Sequence, residues 1–368
     1  MRIGIDGRKI PRAAELGPLG ILDHAVELGM DGVFFRTILD IAPDLDPGVL
    51  GDLRARADEL GLYLEAGLGK VNPFATPEAP ELRRLGDGDI LLGFNRMIEA
   101  ASRVGITELW ISTANAKPYR GRFATDRFRT DVSWADQLEA TGGFLASLAP
   151  IAREHGVHIN LETHEEITTF EILRLIERTG EDAVGIVFDT ANVLMRGEHP
   201  IRAAERIAPF VRQTHFKDAY VELVHEGAYH EARPCGDGLI DYEAVLLLLA
   251  RHNPNLNVTF ENDQPRSEVA KLYGPDAGTG DPHLVQLFDP LWLAGHPDLT
   301  RDEYADYIAL VRDYTDRIAA GEVESWRDRR ARPFEYKESV EWIRSATEHI
   351  EGVFERVGIE RRARVLAV

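Results

Sequence analysis

The stretch INLETHEE, residues 159–166, decides how this chain is read. Its apolar half has the look of a buried strand, yet it runs straight into Glu162, Thr163, His164, Glu165 and Glu166. Side chains alternate along a strand, so Asn160, Glu162 and His164 share one face while Ile159, Leu161 and Thr163 share the other. A carboxylate aimed inward is costly unless something pairs with it, so the sequence must supply a partner for Glu162.

The same two-faced pattern recurs downstream in VGIVFDT (184–190), RQTHFKD (212–218) and NVTFEND (257–263). Upstream, RIGID (2–6), GVFFRT (32–37), LYLEAGL (62–68) and ELWIST (108–113) are short apolar runs of similar length. With HINLETH (158–164) they make eight, separated by stretches of helical period such as GVLGDLRARADELG and FEILRLIERTGED. Eight strand and helix alternations without a composition break predict an α/β fold, a single (β/α)8 TIM barrel spanning residues 1–368. After the eighth strand comes a long insertion, 264–335, beginning with the loop YGPDAGTGDPH. Thr300 and Glu303 then open a helix carrying Tyr304, Tyr307, Ile308, Val311 and Tyr314 on one face. SVEWIRSATEHIEGVFERVG, stopped by Gly358, reads as the eighth helix. Because strand-to-helix loops line the catalytic mouth of a barrel, the insertion between strand 8 and helix 8 is expected to cover that C-terminal face.

Composition narrows the class of partner. Lys and Arg total 42 against 62 Asp and Glu, a net charge of -20, which repels phosphate backbones and anionic membranes. A single cysteine, Cys235, forbids an intrachain disulfide and fits a reducing cytoplasm, and the opening MRIGID carries no secretory signal. AVLLLLA, the longest aliphatic run, is too short to span a bilayer.

On the inward faces of strands five to eight the ionisable groups gather at the C-terminal ends: Glu162, Asp189, His215 and Glu261. A purely structural barrel fills its lumen with branched aliphatics, so this ring calls for a common counter-charge. Three carboxylates and an imidazole suit Mn²⁺, Mg²⁺ or Co²⁺ and leave positions open for substrate oxygens. Taken singly each has a plainer role: Asp189 as a helix cap, His215 as a core histidine, Lys217 with Asp218 as a surface ion pair.

LETHE, GIVFDTAN, THFKD and TFEN, in that order, resemble the sugar phosphate isomerase and epimerase superfamily with the xylose isomerase-like barrel. The resemblance covers roughly residues 1–263 in strand order, with its specific motifs confined to 159–263. It implies that Glu162, Asp189, His215 and Glu261 are the metal ligands. GDGLID at 236–241 looks like the family's Gly-x-Gly-x-x-Asp element, and Arg233 matches an arginine that touches substrate. By the resemblance a metal binds the carbonyl and hydroxyl oxygens of a sugar while a base removes the adjacent C–H proton, and in ketose epimerases Glu162 and Glu261 would move the protons. His164, one pleat nearer the mouth, is a second candidate for the base, and inward-facing Lys217 for stabilising the developing oxyanion.

Two departures from the ketose 3-epimerase pattern, Asn192 in place of a histidine and Thr168 in place of a glutamate, count against a free ketohexose. The Glu-x-His pair, the insertion and the aromatic helix look more like the large catalytic subunit of bacterial C-glycoside deglycosidases. That resemblance implies Mn²⁺, a 3-keto-C-glycoside whose aglycone is eliminated by a lyase, and an oligomer with a small second subunit. An abasic-site endonuclease shares the barrel but needs a basic DNA face, and a metal-binding barrel without catalysis is the remaining class. Substrate contacts are expected from Arg36, Asn115, Asn192 and Arg233. Arg8, Glu65 and Lys117 are weaker candidates, and Tyr63, Trp110 and Trp134 offer a wall for a sugar ring, with core packing as the competing role. Lys9 is expected to be inert.

Overall fold

The computed structural model describes residues 1–75, 79–113, 126–262 and 284–364. Its strands are β1 (Arg2–Asp6), β2 (Gly32–Phe35), β3 (Tyr63–Lys70), β4 (Glu108–Ser112), β5 (His158–Glu162), β6 (Val184–Asp189), β7 (Val211–His215), β8 (Asp218–Val224), β9 (Gly227–Arg233), β10 (Asn257–Phe260) and β11 (Leu284–Val285). Eight of them form one sheet in the order β10-β1-β2-β3-β4-β5-β6-β7, and each pair is parallel. Just past β7 the Phe216 N–H donates to Thr259 O (2.8 Å) and the Glu261 N–H to Phe216 O (3.1 Å). These bonds join the two edges, and the fold is a TIM barrel.

Periodicity places the layers. Ile159, Leu161, Ile186, Phe188, Phe216, Val258 and Phe260 are all buried in the main core between strands and helices. Their strand neighbours face the lumen, where Phe34, Trp110 and Val187 form a small separate apolar cluster. Below it Asn160 Nδ2 donates to Gln213 Oε1 across the barrel (2.8 Å). Gly185 makes room for this bond, since a Cβ there would come within 2.4 Å of Asn160 Oδ1.

Thr168 explains why INLETHEE ends where it does. It caps the helix Thr169–Thr179: its hydroxyl accepts the Glu171 N–H while the Glu171 carboxylate accepts the Thr168 N–H, a capping box. The final helix, Tyr336–Val357, stops at Gly358, whose φ of 72° suits glycine. Among the described residues no helix is long and apolar enough to cross a membrane.

One hairpin was absent from the expected alternation of strands and helices. β8 and β9 pair antiparallel straight after β7, with Asp218 opposite Arg233. β11 adds to β9, and the helix Arg301–Ala319 lays its aromatic face on β8, with the Tyr314 and Tyr220 rings 5.8 Å apart. Trp326 stacks on Tyr229 at 4.4 Å. The described part of the segment after β10 thus docks on the hairpin. It is also tied to the turn after β5, because Arg127 Nη1 donates to Glu166 O (3.1 Å) and its Nε to Gly295 O (2.9 Å).

Candidate metal centre

Glu162 ends β5, Asp189 ends β6, His215 ends β7 and Glu261 follows β10, so four strand ends deliver four side chains to one place. All are buried, and each offers a ligand atom such that the four atoms lie within 4.8 Å of one another. Phe216 and Phe260 point outward into the core, which turns His215, Lys217 and Glu261 inward at the seam where the barrel closes.

Every carboxylate here has a protein partner. Glu162 Oε1 lies 2.9 Å from His215 Nδ1, and its Oε2 accepts the Trp110 indole N–H at 2.8 Å. Glu261 Oε1 accepts from Arg36 at 2.5 Å and Oε2 from Lys217 Nζ at 2.7 Å. Asp189 Oδ1 accepts the backbone N–H groups of Ala191 and Asn192, both at 3.0 Å, while Oδ2 ion-pairs with Lys217 Nζ at 2.9 Å. Burial opposes ionisation throughout, yet His215 outweighs it at Glu162 and holds that group at about 2. Glu261 is likewise held well below the usual range, against its burial, by Lys217, Arg36 and Lys9. At Asp189 burial wins, reinforced by Glu261 and Glu162, and the carboxyl is pushed up to about 7.

This donor set fits a divalent cation. His215 Nε2 is buried without a hydrogen-bond partner, and three mutually repelling carboxylates crowd one imidazole. A hard cation relieves both defects.

His164 stands beside this cluster. Its Nδ1 faces Glu166 Oε2 at 2.6 Å, and Glu166 also accepts from Thr113 Oγ1. Burial lowers the imidazole's proton affinity, but Glu166, Glu162 and Glu165 together raise its pKa to about 10. With Nδ1 turned to Glu166, Nε2 is the nitrogen left for a substrate.

The other expected residues divide. Arg36 is half-buried at the mouth, paired with Glu261 and with Asp6 (3.2 Å). Asn192 is buried in the turn Asn192–Arg196, directly after Asp189. Arg233 is buried at the end of β9, 4.9 Å over the Tyr220 ring and 3.0 Å from Glu231, a packing role on the hairpin. Asn115 and Lys117 lie outside the described residues. Asp218 is no surface ion pair: it is buried and accepts the N–H groups of Ala219, Gly236 and Ile240, so GDGLID wraps a carboxylate of this chain. Arg8 pairs with Asp40 at the surface, and Trp134 donates to Glu171. Trp110 is a partner of Glu162 instead of a sugar wall. Lys9, expected to be inert, is buried and its charge acts on Glu261. A separate cavity of about 500 Å³, lined by Cys235, Arg329, Trp342 and His349 among others, contains none of the four ligands.

Glu65 and Tyr63 belong to the opposite end of the lumen. Thr259 Oγ1 donates to Glu65 Oε2 (3.0 Å) and meets Tyr63 Oη at 2.9 Å. Burial raises Glu65 from 4.5 to about 7. A carboxyl with a raised folded-state pKa supports the fold while protonated, and that support is lost as pH climbs through 4.5 to about 7. The Glu65→Gln variant should therefore gain on the wild type across this window, by on the order of 3 kcal/mol once Glu65 is ionised. Urea midpoints compared near pH 5 and near pH 8 test this; a gap that does not change with pH would show Glu65 ionising normally.

Comparison with known proteins gives the lineage. The family model described as xylose isomerase-like TIM barrel matches residues 22–277. The chain belongs to this family. Among curated relatives, a 3-oxo-isoapionate decarboxylase of Pectobacterium atrosepticum is 24% identical over 257 residues, covering 68% of this chain and 79% of that protein. An uncharacterized Escherichia coli protein, YihM, is 25% identical over 245 residues, covering 66% of this chain and 71% of its own. An inosose dehydratase of Bacillus anthracis matches at 27% over 135 residues, 32% of this chain and 44% of that one. In structure, D-psicose 3-epimerase from Clostridium cellulolyticum superposes with a TM-score of 0.57 at 15% identity, covering 86% of this chain and 99% of the epimerase. The 3-keto-D-glucoside 4-epimerase YcjR of E. coli gives 0.53 at 17% identity, with 85% and 99% covered. The relatives of this xylose isomerase-like barrel that have named activities are enzymes, and they support an enzyme of the isomerase, epimerase or related lyase kind.

Proposed function

We propose that this barrel is a divalent-metal-dependent carbohydrate enzyme of the isomerase and epimerase type, which removes the proton next to a ketone of a small keto-sugar. The observation that carries this is the convergence of Glu162, Asp189, His215 and Glu261 within 4.8 Å at the mouth of the barrel, with the His164–Glu166 pair beside them. Those four residues would hold the metal, and their oxygen-rich set suits Mn²⁺, with Mg²⁺ and Co²⁺ as substitutes. When bound, such an ion polarises a substrate carbonyl and stabilises negative charge on its oxygen.

The remaining steps belong to the chain. Trp110 and His215 fix Glu162, so its carboxylate is aimed before substrate arrives. Both oxygens of Glu261 are committed to Arg36 and Lys217, which disfavours it as the proton carrier. His164 keeps Nε2 for that task, and Glu166 fixes the ring. Arg36 and Asn192 line the approach as substrate contacts, whereas Arg233 acts through the hairpin. A lyase outcome, in which the same proton removal expels a group from a 3-keto-glycoside, is the second reading, and the match to a decarboxylase favours keeping it.

The test combines element analysis of the purified protein with a panel of keto-sugars incubated in D₂O. We expect bound metal, and exchange of one sugar C–H proton that stops when the metal is chelated. Full metal occupancy with no exchange into any keto-sugar would leave a metal-binding barrel without catalysis.

A further inference from the structure

The same contacts that neutralise the cluster raise a difficulty for any incoming cation. Asp189 has given Oδ1 to two backbone amides, so Oδ2 is the oxygen it has left, and Lys217 Nζ stands 2.9 Å from it. Glu261 has given Oε1 to Arg36, and Lys217 holds its Oε2 at 2.7 Å. The ammonium therefore stands against the oxygens that two of the four ligands have to offer, at the height where those ligands converge. A divalent ion and an ammonium cannot share that position, because like charges at such a separation repel strongly in a site shielded from water.

We propose that Lys217 is a built-in occupant of the metal seat. In the metal-free chain it bridges Asp189 and Glu261, and a divalent cation binds by displacing it toward the C-terminal opening. This rests on the metal-dependent reading above and adds a consequence to it. The metal-free barrel stays folded because its buried carboxylates keep a partner, and metal affinity is set below what the four ligands alone would give. Arg36 does not take this part: it is half-exposed, and its other contact is Asp6, outside the ligand set.

Mn²⁺ titration of the metal-free protein, followed by the EPR signal of free Mn²⁺, tests the proposal in wild type, Lys217→Met and Lys217→Gln. Removing the ammonium should tighten Mn²⁺ binding about ten-fold or more. It should also lower the melting temperature of the metal-free protein and enlarge the rise that Mn²⁺ produces. Unchanged or weaker Mn²⁺ binding in the folded variants overturns the proposal. Should neither variant fold, the Mn²⁺-loaded wild-type crystal structure decides. Lys217 Nζ beyond about 4 Å from Asp189 and Glu261 supports displacement, and an ammonium still bridging them beside the ion refutes it. The two readings fail separately. If Glu162→Gln leaves wild-type Mn²⁺ affinity intact, the metal site itself is misassigned and the Lys217 proposal falls with it. If Glu162→Gln abolishes binding and Lys217→Met fails to tighten it, only the displacement is wrong.

Discussion

Glu162→Gln should reduce turnover to background and weaken Mn²⁺ retention by about 100-fold or more, beyond what loss of an outer-shell partner alone usually costs. The substitution keeps the size of the side chain and leaves an amide oxygen able to accept the Trp110 N–H, so the lumen has no reason to collapse. What it removes is charge. His215 Nδ1, 2.9 Å from Glu162 Oε1, then faces a neutral amide, and the donor set drops from three carboxylates to two. Crowded carboxylates repel one another when no cation is present, so the metal-free variant should melt no lower than the metal-free wild type. Loss of metal without loss of fold is the combination that identifies a ligand. Element analysis and a thermal melt on the same preparation read both, and a glutamine variant that retains its metal and its activity would show that Glu162 has been misassigned.

How far this site could be read from the chain depends on how local each signal is. Period-two alternation in HINLETH, VGIVFDT, RQTHFKD and NVTFEND fixes which side chains face the lumen, and the convergence of Glu162, Asp189, His215 and Glu261 follows once eight strands close. Contacts set by register are not local. Trp110 is opposite Asn160 in the ladder, yet its indole reaches one pleat further to Glu162, and no pattern inside ELWIST announces that. Lys9 shows the same gap more sharply. It sits in a three-residue turn, Gly7–Lys9, after β1, and only the closing of β1 against β10 brings its charge to bear on Glu261.

The hairpin was hidden for a different reason. VELV, then His225-Glu226, then GAYHEA has the alternation of two strands around a turn, but it follows RQTHFKD so closely that the run passes for a loop. Its consequence reaches Arg233, which sequence order places near the substrate. The structure buries it in a stack with Tyr220 that also carries Tyr314 of the segment after β10. Glu166, two residues beyond His164, was the legible signal that went unused: an acidic residue at that spacing past a strand end can turn back to the imidazole, as it does at 2.6 Å.

That pair carries the second large effect. His164→Asn should lower turnover by about 10²–10⁴-fold, the usual worth of a positioned acid or base, while Mn²⁺ retention stays near wild type. The reasoning is one of elimination among groups at the mouth. Glu162 spends one oxygen on Trp110 and the other on His215, and Glu261 spends both on Arg36 and Lys217. His164 alone among the three proposed proton carriers has a polar atom that its recorded partner does not occupy, because Glu166 takes only Nδ1. Asparagine preserves a donor near Glu166 but cannot cycle a proton, so a defect confined to proton exchange, with metal still bound, separates a chemical role from a structural one. Glu166→Gln should fall between the two, since the ring stays in place while the charge that orients it is gone. Exchange of the sugar C–H proton into D₂O, measured at equal Mn²⁺ occupancy, reads this step directly. Undiminished exchange in His164→Asn would return the task to Glu162 and Glu261, and would require Arg36 or Lys217 to release a carboxylate oxygen when substrate binds.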